Sequence, residues 1–191
     1  MPQVSEDRHL QEPLLVGDFG GTKTNLSLFA GDLSNLRLIR YKSYPTQDAA
    51  SPIHLIEQFL QEETDATIQE ACFGVAAPVV EGVAQTINLP WVIEAEMLLA
   101  HFGFKKLHLI NDLVATAAAI PHLRPEQFLS IGTAEPPSSP GNIGLLAAGT
   151  GLGEAFLFWN GRDYFPTPSE GGHKDFAPQT EIQFELHRQV L

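Results

Sequence analysis

LLVGDFGGTKTNLSLF, residues 14–29, is the stretch that decides the fold of this 191-residue chain. An apolar run enters a glycine-rich turn, and beyond the turn Leu26 and Leu28 alternate with polar residues. Alternation with a period of two is typical of a half-buried β-strand. The stretch therefore predicts a β-hairpin whose turn lies at residues 20–23.

A second stretch, residues 143–159 (IGLLAAGTGLGEAFLFW), repeats the order of apolar strand, glycine turn and alternating strand. Two such units predict two similar subdomains with a boundary near residues 122–127. We expect a polar tail over 1–13, a small α/β domain over 14–122 and the beginning of a larger, truncated α/β domain over 123–191.

The other elements are predicted from hydrophobic periodicity and from the positions of proline and glycine. In one helix Ile53, Ile56 and Leu60 form the expected buried face, and Gly103 is expected to end another helix. The predicted strands cover residues 36–44, 70–80, 82–91 and 105–112. The predicted helices cover residues 52–63, 93–103, 113–123 and 180–191, and a polar loop is predicted over residues 167–178.

Composition restricts the class of protein. The chain has 11 Lys+Arg and 23 Asp+Glu, a net charge of −12, which argues against binding nucleic acid or an anionic membrane because both need clustered positive charge. With 43% apolar and 18% charged residues, the chain can bury a sizeable core.

The single cysteine, Cys72, is expected to be an inert core thiol and excludes an internal disulfide or a multi-cysteine zinc site. With no apolar run of membrane-spanning length and no signal peptide, we expect a cytoplasmic protein.

The first glycine turn, residues 17–22 (GDFGGT), has the composition of a phosphate-binding loop. Adjacent glycines let backbone N–H groups converge on a phosphate because no Cβ blocks the approach, and Asp18 can hold a hydrated Mg²⁺ beside it. The alternative is an ordinary hairpin turn, in which glycines are also common. The turn lacks the Walker A pattern, and it is not a dinucleotide-binding fingerprint because a strand rather than a helix follows.

The second glycine turn, Gly149-Thr150-Gly151, invites the same interpretation. Taken alone, its glycines could only mark a bulge in a strand. Taken together, the two turns predict a pair of hairpins that grip one polyphosphate.

Asn111 and Asp112 stand at the carboxyl end of a predicted strand, where ligands of α/β sheets gather. Asp112 could accept the proton of a hydroxyl that attacks phosphorus, a contribution of about 10²–10⁴ in rate. The alternative is that Asp112 caps the helix starting at Leu113, and both roles can hold at once.

Glu170 and His173 lie on a glycine-rich loop with the sequence SEGGH. The two side chains could bind neighbouring sugar hydroxyls or form a metal pair, although no third ligand has convincing spacing. The alternative is a solvated loop without a ligand.

Six motifs, taken in order, resemble the bacterial-type glucokinase family of the hexokinase, actin and Hsp70 superfamily. They are VGDFGGTKTNLSL, GVAAPV, INLPW, LINDLVATAAAI, GTGLG and EGGHKDFAP, and they span residues 14–191. The resemblance implies two α/β domains, each built on an RNase H-like core, that close over a cleft. It also implies ATP-dependent phosphorylation of D-glucose at O6 in the cytoplasm, Mg²⁺ as cofactor and a possible homodimer.

The resemblance further implies roles for matching positions. Asp112 would be the general base, and Asp18 would lie near Mg²⁺, linked to it through water. Glucose would be bound by Asn88, Asn111, Asp112, Glu170 and His173. ATP would be bound by Gly17, Asp18, Phe19, Gly20, Gly21, Thr22, Gly149, Thr150 and Gly151.

The chain also departs from the family. The family's further sugar-binding glutamate, its adenosine motif and its C-terminal helix are all expected beyond Leu191. This leaves two rival functions, a non-catalytic sugar-binding or regulatory module and an actin- or Hsp70-like ATPase. The related repressor and kinase family with a cysteine-rich zinc motif is disfavoured because one cysteine cannot build that motif.

Overall fold

Eleven strands and four helices organise the chain in the computed structural model, which describes residues 13–31, 35–61, 67–85, 91–133, 138–149 and 151–190. The strands are β1 (Leu14–Phe19), β2 (Lys23–Ala30), β3 (Arg37–Pro45), β4 (Glu70–Val75), β5 (Val79–Val80), β6 (Val83–Gln85), β7 (Val92–Glu94), β8 (Lys106–Asn111), β9 (Ile143–Ala148), β10 (Leu152–Trp159) and β11 (Tyr164–Ser169). The helices are α1 (Pro52–Gln61), α2 (Ala95–Phe102), α3 (Asp112–Ala119) and α4 (Glu181–Val190).

A five-stranded mixed sheet in the order β3-β2-β1-β4-β8 forms the framework of the first half of the chain. β1 and β2 pair antiparallel, as the opening stretch of sequence predicts. β4 and β8 run parallel to β1, in a register that places Phe19, Val75 and Asn111 side by side. Three carboxyl ends of strands therefore meet at one edge of the sheet.

The main hydrophobic core covers one face of this sheet. Side chains of alternate residues along β1, β2 and β4 pack there with α1 and α2, and Phe19 and Phe73 meet edge to face at 5.4 Å between ring centroids. The helix at residues 52–61 buries Leu55, Ile56 and Phe59. The predicted face is confirmed at Ile56, whereas Ile53 and Leu60 are partly buried at its margin. Leu55 and Phe59 widen the buried face, because the apolar stripe of a core-facing helix is wider than one row of side chains.

The boundaries of two predicted elements differ in the structure. β4 ends at Val75 rather than at Pro78. The helix predicted from residue 93 begins at Ala95, because residues 92–94 pair with β6. Gly103 ends that helix as predicted, with a left-handed φ of 68°, a conformation that glycine adopts without a Cβ penalty.

A separate three-stranded sheet, in the order β11-β10-β9, contains the second predicted hairpin. Helix α3 packs on it, and Ala117, Ala155 and Leu157 are buried in their own cluster. The prediction of a loop from residue 167 is wrong, since 167–169 belong to β11. The two prolines in β11 conceal the strand, yet a strand at the edge of a sheet tolerates proline because one side needs no ladder donors.

Two surfaces of the second half expose large apolar side chains. On α4, Ile182 and Val190 are 79% and 77% exposed. On the open face of β9–β11, Leu146, Phe156 and Phe158 are exposed. No helix within the described ranges is long and apolar enough to cross a bilayer.

We predict that Gly17→Ala destabilises the fold by about 1–3 kcal/mol, the usual cost of overpacking a core. A Cβ on this buried β1 residue would lie 2.8 Å from the Phe73 ring and 2.9 Å from the Phe19 ring. The matched control is Gly144→Ala in β9, where an added Cβ meets nothing within 4 Å. Urea unfolding measures both free energies, and equal values for the two variants would contradict the packing role of Gly17.

Candidate functional site

The site lies where β1, β4 and β8 end. Asp18 is in register with Gly74 of β4, and neighbours in register point to the same face of a sheet. On that face, the Cβ position of Gly74 lies 3.6 Å from the Cα atom of Asp112. Asp18 of the first glycine turn and Asp112 are therefore adjacent, with a glycine between them.

The side chain of Asn111 joins β8 to α3. Its Oδ1 accepts the backbone N–H groups of Leu113 at 3.0 Å and Val114 at 3.1 Å. Its Nδ2 donates to the Ala77 carbonyl at 3.2 Å and to Asp112 Oδ1 at 3.0 Å. Asn111 is thus the N-cap of α3, and the alternative interpretation, in which Asp112 caps this helix, is wrong. An amide offers two donor hydrogens and two acceptor positions, and these four bonds use all of them. A glucose contact by Asn111 stays a prediction. It would require one of the four bonds to be exchanged.

Asp112 is half-buried and held through one oxygen. The described hydrogen bonds to its carboxylate all reach Oδ1, from the Leu113 N–H at 2.8 Å and from Asn111 Nδ2 at 3.0 Å. Burial raises the pKa of the Asp112 carboxyl, the negative charge of Asp18 raises it further, and these hydrogen bonds oppose the rise. A carboxylate with a raised pKa is a stronger base than a solvated one.

Some residues of the first glycine turn are buried in the core, and others lie at the surface. The Phe19 side chain is fully buried in the core, so only its backbone faces the turn. The Gly20 N–H closes the turn by donating to the Lys23 carbonyl at 3.0 Å. Gly21 and Thr22 lie at the tip, where Thr22 is exposed. Nucleotide binding by residues 17–22 stays a prediction, with the amides of Gly21 and Thr22 as its best-placed donors.

Asp18 is oriented by two residues that the sequence patterns do not single out. Asn25 Nδ2 donates to Asp18 Oδ2 at 3.2 Å, and the Tyr41 hydroxyl donates to Asn25 Oδ1 at 3.0 Å. Because Tyr41 occupies the amide oxygen, the NH₂ group of Asn25 must face Asp18. Cross-strand pairing places Asp18 directly opposite Asn25 and Tyr41 diagonally across from Asn25 on the same face, which no local pattern can reveal.

The second glycine turn is closed by a bond from the Gly149 N–H to the Gly151 carbonyl at 2.9 Å. Thr150, and Asn88 of the predicted sugar site, lie outside the described residues. The predicted nucleotide contacts of residues 149–151 and the glucose contact of Asn88 stay predictions.

The loop with Glu170 and His173 is seated on β10. The two side chains contact each other, with His173 Nδ1 3.1 Å from Glu170 Oε2, and both are exposed. A Cβ on Gly171 would collide with Glu154 Oε2, and one on Gly172 would collide with the Leu152 carbonyl. The paired glycines are therefore explained by this close approach to the strand.

β10 also touches α3 directly beside Asp112. The Cβ position of Gly153 lies 2.8 Å from Leu113 Cδ1, so any residue larger than glycine would require Leu113 to move. The start of β10 thus contacts the helix that follows Asp112 on one side and the loop of Glu170 and His173 on the other. A single strand therefore contacts both the helix that begins at Asp112 and the loop of Glu170 and His173.

Asp18 is the candidate metal-binding side chain of this site. Within the described ranges, no group of three His, Cys, Asp or Glu side chains is arranged to hold a metal ion. Asp18, exposed and held by Asn25 through one oxygen, fits the outer sphere of a hydrated Mg²⁺, which keeps several of its waters.

Comparison with known proteins places the chain in a family. The family model described as glucokinase matches residues 15–191. The chain belongs to the glucokinase family. A glucokinase of Nostoc punctiforme is 39% identical over 180 residues, which cover 93% of this chain and 52% of the relative. The chain therefore spans about half the length of the curated glucokinases it matches.

Solved structures confirm the fold class predicted from the resemblance. A glucokinase from an Antarctic psychrotroph superposes with a TM-score of 0.75 at 28% identity, covering 94% of this chain and 56% of that one. A ROK family glucokinase from Streptomyces griseus in complex with glucose and AMPPNP gives a TM-score of 0.56 at 17% identity, covering 87% and 51%. The chain has the α/β fold of these sugar kinases.

We predict that Asp18→Asn lowers the pKa of Asp112, because one of the charges that raise it is removed. An acid whose folded-state pKa exceeds its unfolded value adds stability only while protonated, so that stability is lost as the pH rises through the folded pKa. In Asp18→Asn this loss moves to lower pH. Carboxyl ¹³C NMR titration measures the shift, with Asp163→Asn as a distant control, and an unchanged Asp112 titration would refute the coupling.

We predict that Gly172→Ala lifts the loop from β10, because the added methyl collides with a backbone carbonyl. The Gly171 N–H, bonded to Ser169 Oγ at 3.0 Å, should then exchange its hydrogen with water about tenfold faster or more, the effect of losing a bond of ~1.4 kcal/mol. Hydrogen exchange read by NMR tests this. In the control, Gly141→Ala, a Cβ meets nothing within 4 Å, and the same acceleration there would count against the steric explanation.

Proposed function

We propose that this chain carries the sugar site and part of the nucleotide site of a glucokinase, which transfers the γ-phosphoryl group of ATP to O6 of D-glucose. The observation that supports it most concerns Asp112. Its carboxylate is held through Oδ1 where three parallel strands end, and burial raises its pKa. Membership of the glucokinase family supports sugar phosphorylation in general.

In this proposal, Asp112 Oδ2 accepts the proton of the glucose 6-hydroxyl. The deprotonated O6 of glucose then forms a bond to the γ-phosphorus. The bond from that phosphorus to the bridging oxygen of ADP breaks. The raised pKa favours the proton transfer, and attachment through Oδ1 orients the second oxygen without mobile side-chain torsions. Catalysis of this kind is mostly positioning and neutralisation of charge.

ATP would lie between the two glycine turns, with backbone N–H groups directed at its phosphates. Mg²⁺, when bound near Asp18, would neutralise part of the phosphate charge. A chain of net charge −12 cannot attract a nucleotide by its overall field, so local dipoles and the metal must supply the attraction. A ROK family glucokinase of the same fold was solved in complex with AMPPNP, an analogue of ATP, which supports this donor.

Glucose would lie between Asp112 and the loop of Glu170 and His173. The contacts of β10 with Leu113 on α3 and with Gly171 and Gly172 of the loop support this position. A carboxylate and an imidazole that touch each other provide an acceptor and a donor for adjacent sugar hydroxyls.

Two lobes, residues 14–122 and 123–191, would close over these ligands and exclude water. The two separate hydrophobic clusters support two lobes but not a boundary at residue 122. Helix α3 packs with the second lobe, because Leu113, Ala117 and Ile120 belong to the second cluster although the helix follows β8 of the first sheet. The joint between the lobes would then lie at Asn111, next to the general base.

A non-catalytic sugar-binding module remains the second candidate, because the chain spans about half the length of its curated relatives. The two functions differ in one measurement. Both predict that glucose raises the melting temperature of the chain, but only the kinase produces ADP in the presence of glucose.

We predict that Asp112→Asn lowers kcat about 10²–10⁴-fold, the usual contribution of a general base, while glucose still raises the melting temperature. A coupled assay of ADP formation measures kcat, and Asp163→Asn serves as a distant carboxylate control. A variant with near-full activity would refute Asp112 as the base. A wild-type chain that binds glucose but forms no ADP would favour the non-catalytic module.

A further inference from the structure

A short segment behind the first glycine turn holds three of its carbonyl groups in succession. The Thr46 hydroxyl donates to the Gly20 carbonyl at 2.8 Å, and Gln47 Nε2 donates to the Gly21 carbonyl at 3.0 Å. The Thr46 N–H donates to the Thr22 carbonyl at 3.0 Å. Pairing of Lys23 with Pro45 at the ends of β2 and β3 brings the segment to this position.

The Thr46 hydroxyl is itself fixed by a second buried hydroxyl. Thr24 and Thr46 are both fully buried, with their Oγ1 atoms 2.9 Å apart. Since the single proton of Thr46 goes to the Gly20 carbonyl, Thr24 must be the donor between the two hydroxyls. The bonds therefore run in one direction, from Thr24 to Thr46 to the carbonyl of Gly20, and such chains strengthen each other in a dry interior.

Holding a carbonyl also aims the amide that follows it. In a trans peptide the C=O and the next N–H point in opposite directions within one plane. Because the Gly20 and Gly21 carbonyls point at residues 46 and 47, the N–H groups of Gly21 and Thr22 point away from that segment. These are the amides best placed for a phosphate at the tip of the turn.

We propose that Thr46, supported by Thr24 and Gln47, is a positioning residue for the nucleotide phosphates, because it sets the direction of the Gly21 and Thr22 amides. This inference rests on the proposed function. Donors that are already aligned bind an anion without the cost of reorganising the turn. Thr46 does not touch the nucleotide, and loss of its hydroxyl should weaken nucleotide binding while leaving glucose binding intact.

The test compares Thr46→Val, which removes the hydroxyl at nearly constant volume, with Thr46→Ser, which retains it. Mg·ATP and glucose are titrated separately into the ¹⁵N-labelled 191-residue chain, and the Gly21 and Thr22 amide resonances report nucleotide binding. We expect Thr46→Val to raise the Kd for Mg·ATP about tenfold, the scale of one lost buried hydrogen bond. We expect an unchanged Kd for glucose, and Thr46→Ser within about threefold of wild type for both ligands.

The matched control is Thr167→Val on the second sheet, whose hydroxyl also donates to a backbone carbonyl, that of Phe165 at 3.5 Å. It should leave both affinities unchanged. If Thr46→Val fails to fold, Gln47→Ala replaces it, since Gln47 is exposed and holds the next carbonyl. Gln47→Ala should raise the Kd for Mg·ATP about threefold, and an unchanged Kd would overturn the inference.

The outcomes separate this inference from the function beneath it. If wild type binds Mg·ATP at Gly21 and Thr22 and Thr46→Val binds it equally well, the positioning role is refuted and the proposed function stands. If Mg·ATP leaves both amides of wild type undisturbed, the proposed nucleotide site is refuted and the positioning role with it. Equal weakening of Mg·ATP and glucose by Thr46→Val would show general loss of structure, which also refutes a specific role.

Discussion

The four hydrogen bonds of the Asn111 side chain are the interaction on which the site depends. They end β8, start α3, bind the segment around Ala77 and hold one oxygen of Asp112. Loss of an N-cap alone costs about 1 kcal/mol, but here the same group also sets the position of the proposed base. The direction of α3, and with it the contact between β10 and Leu113, follows from the same joint.

Local patterns in the sequence were sufficient for the two hairpins and for the end of α2 at Gly103, because alternation and a left-handed cap are properties of neighbouring residues. They also brought out Asp18 and Asp112, which the sheet brings close together on either side of Gly74. The roles of Asn25, Tyr41 and Thr46 could not be predicted in this way. Each depends on pairing between strands, which residue spacing along the chain does not encode.

Glycine has two structural roles in this chain, and composition alone does not distinguish them. At four positions a Cβ would meet neighbouring side chains or a strand, namely at Gly17, Gly153, Gly171 and Gly172. Gly21 lies at the tip of a turn whose carbonyl groups are held from behind. A glycine-rich motif can therefore reflect close packing or the proposed phosphate binding, and only the backbone geometry distinguishes the two.

The exposed apolar side chains of α4 and of the open face of β9–β11 have a consequence for the chain in solution. Contiguous apolar surface drives copies together, whereas a net charge of −12 drives them apart. Salt shortens the range of that repulsion from about 10 Å at 0.1 M to about 3 Å at 1 M and leaves the apolar attraction in place. The colloidal stability of this chain is therefore a balance that low ionic strength preserves and high ionic strength removes.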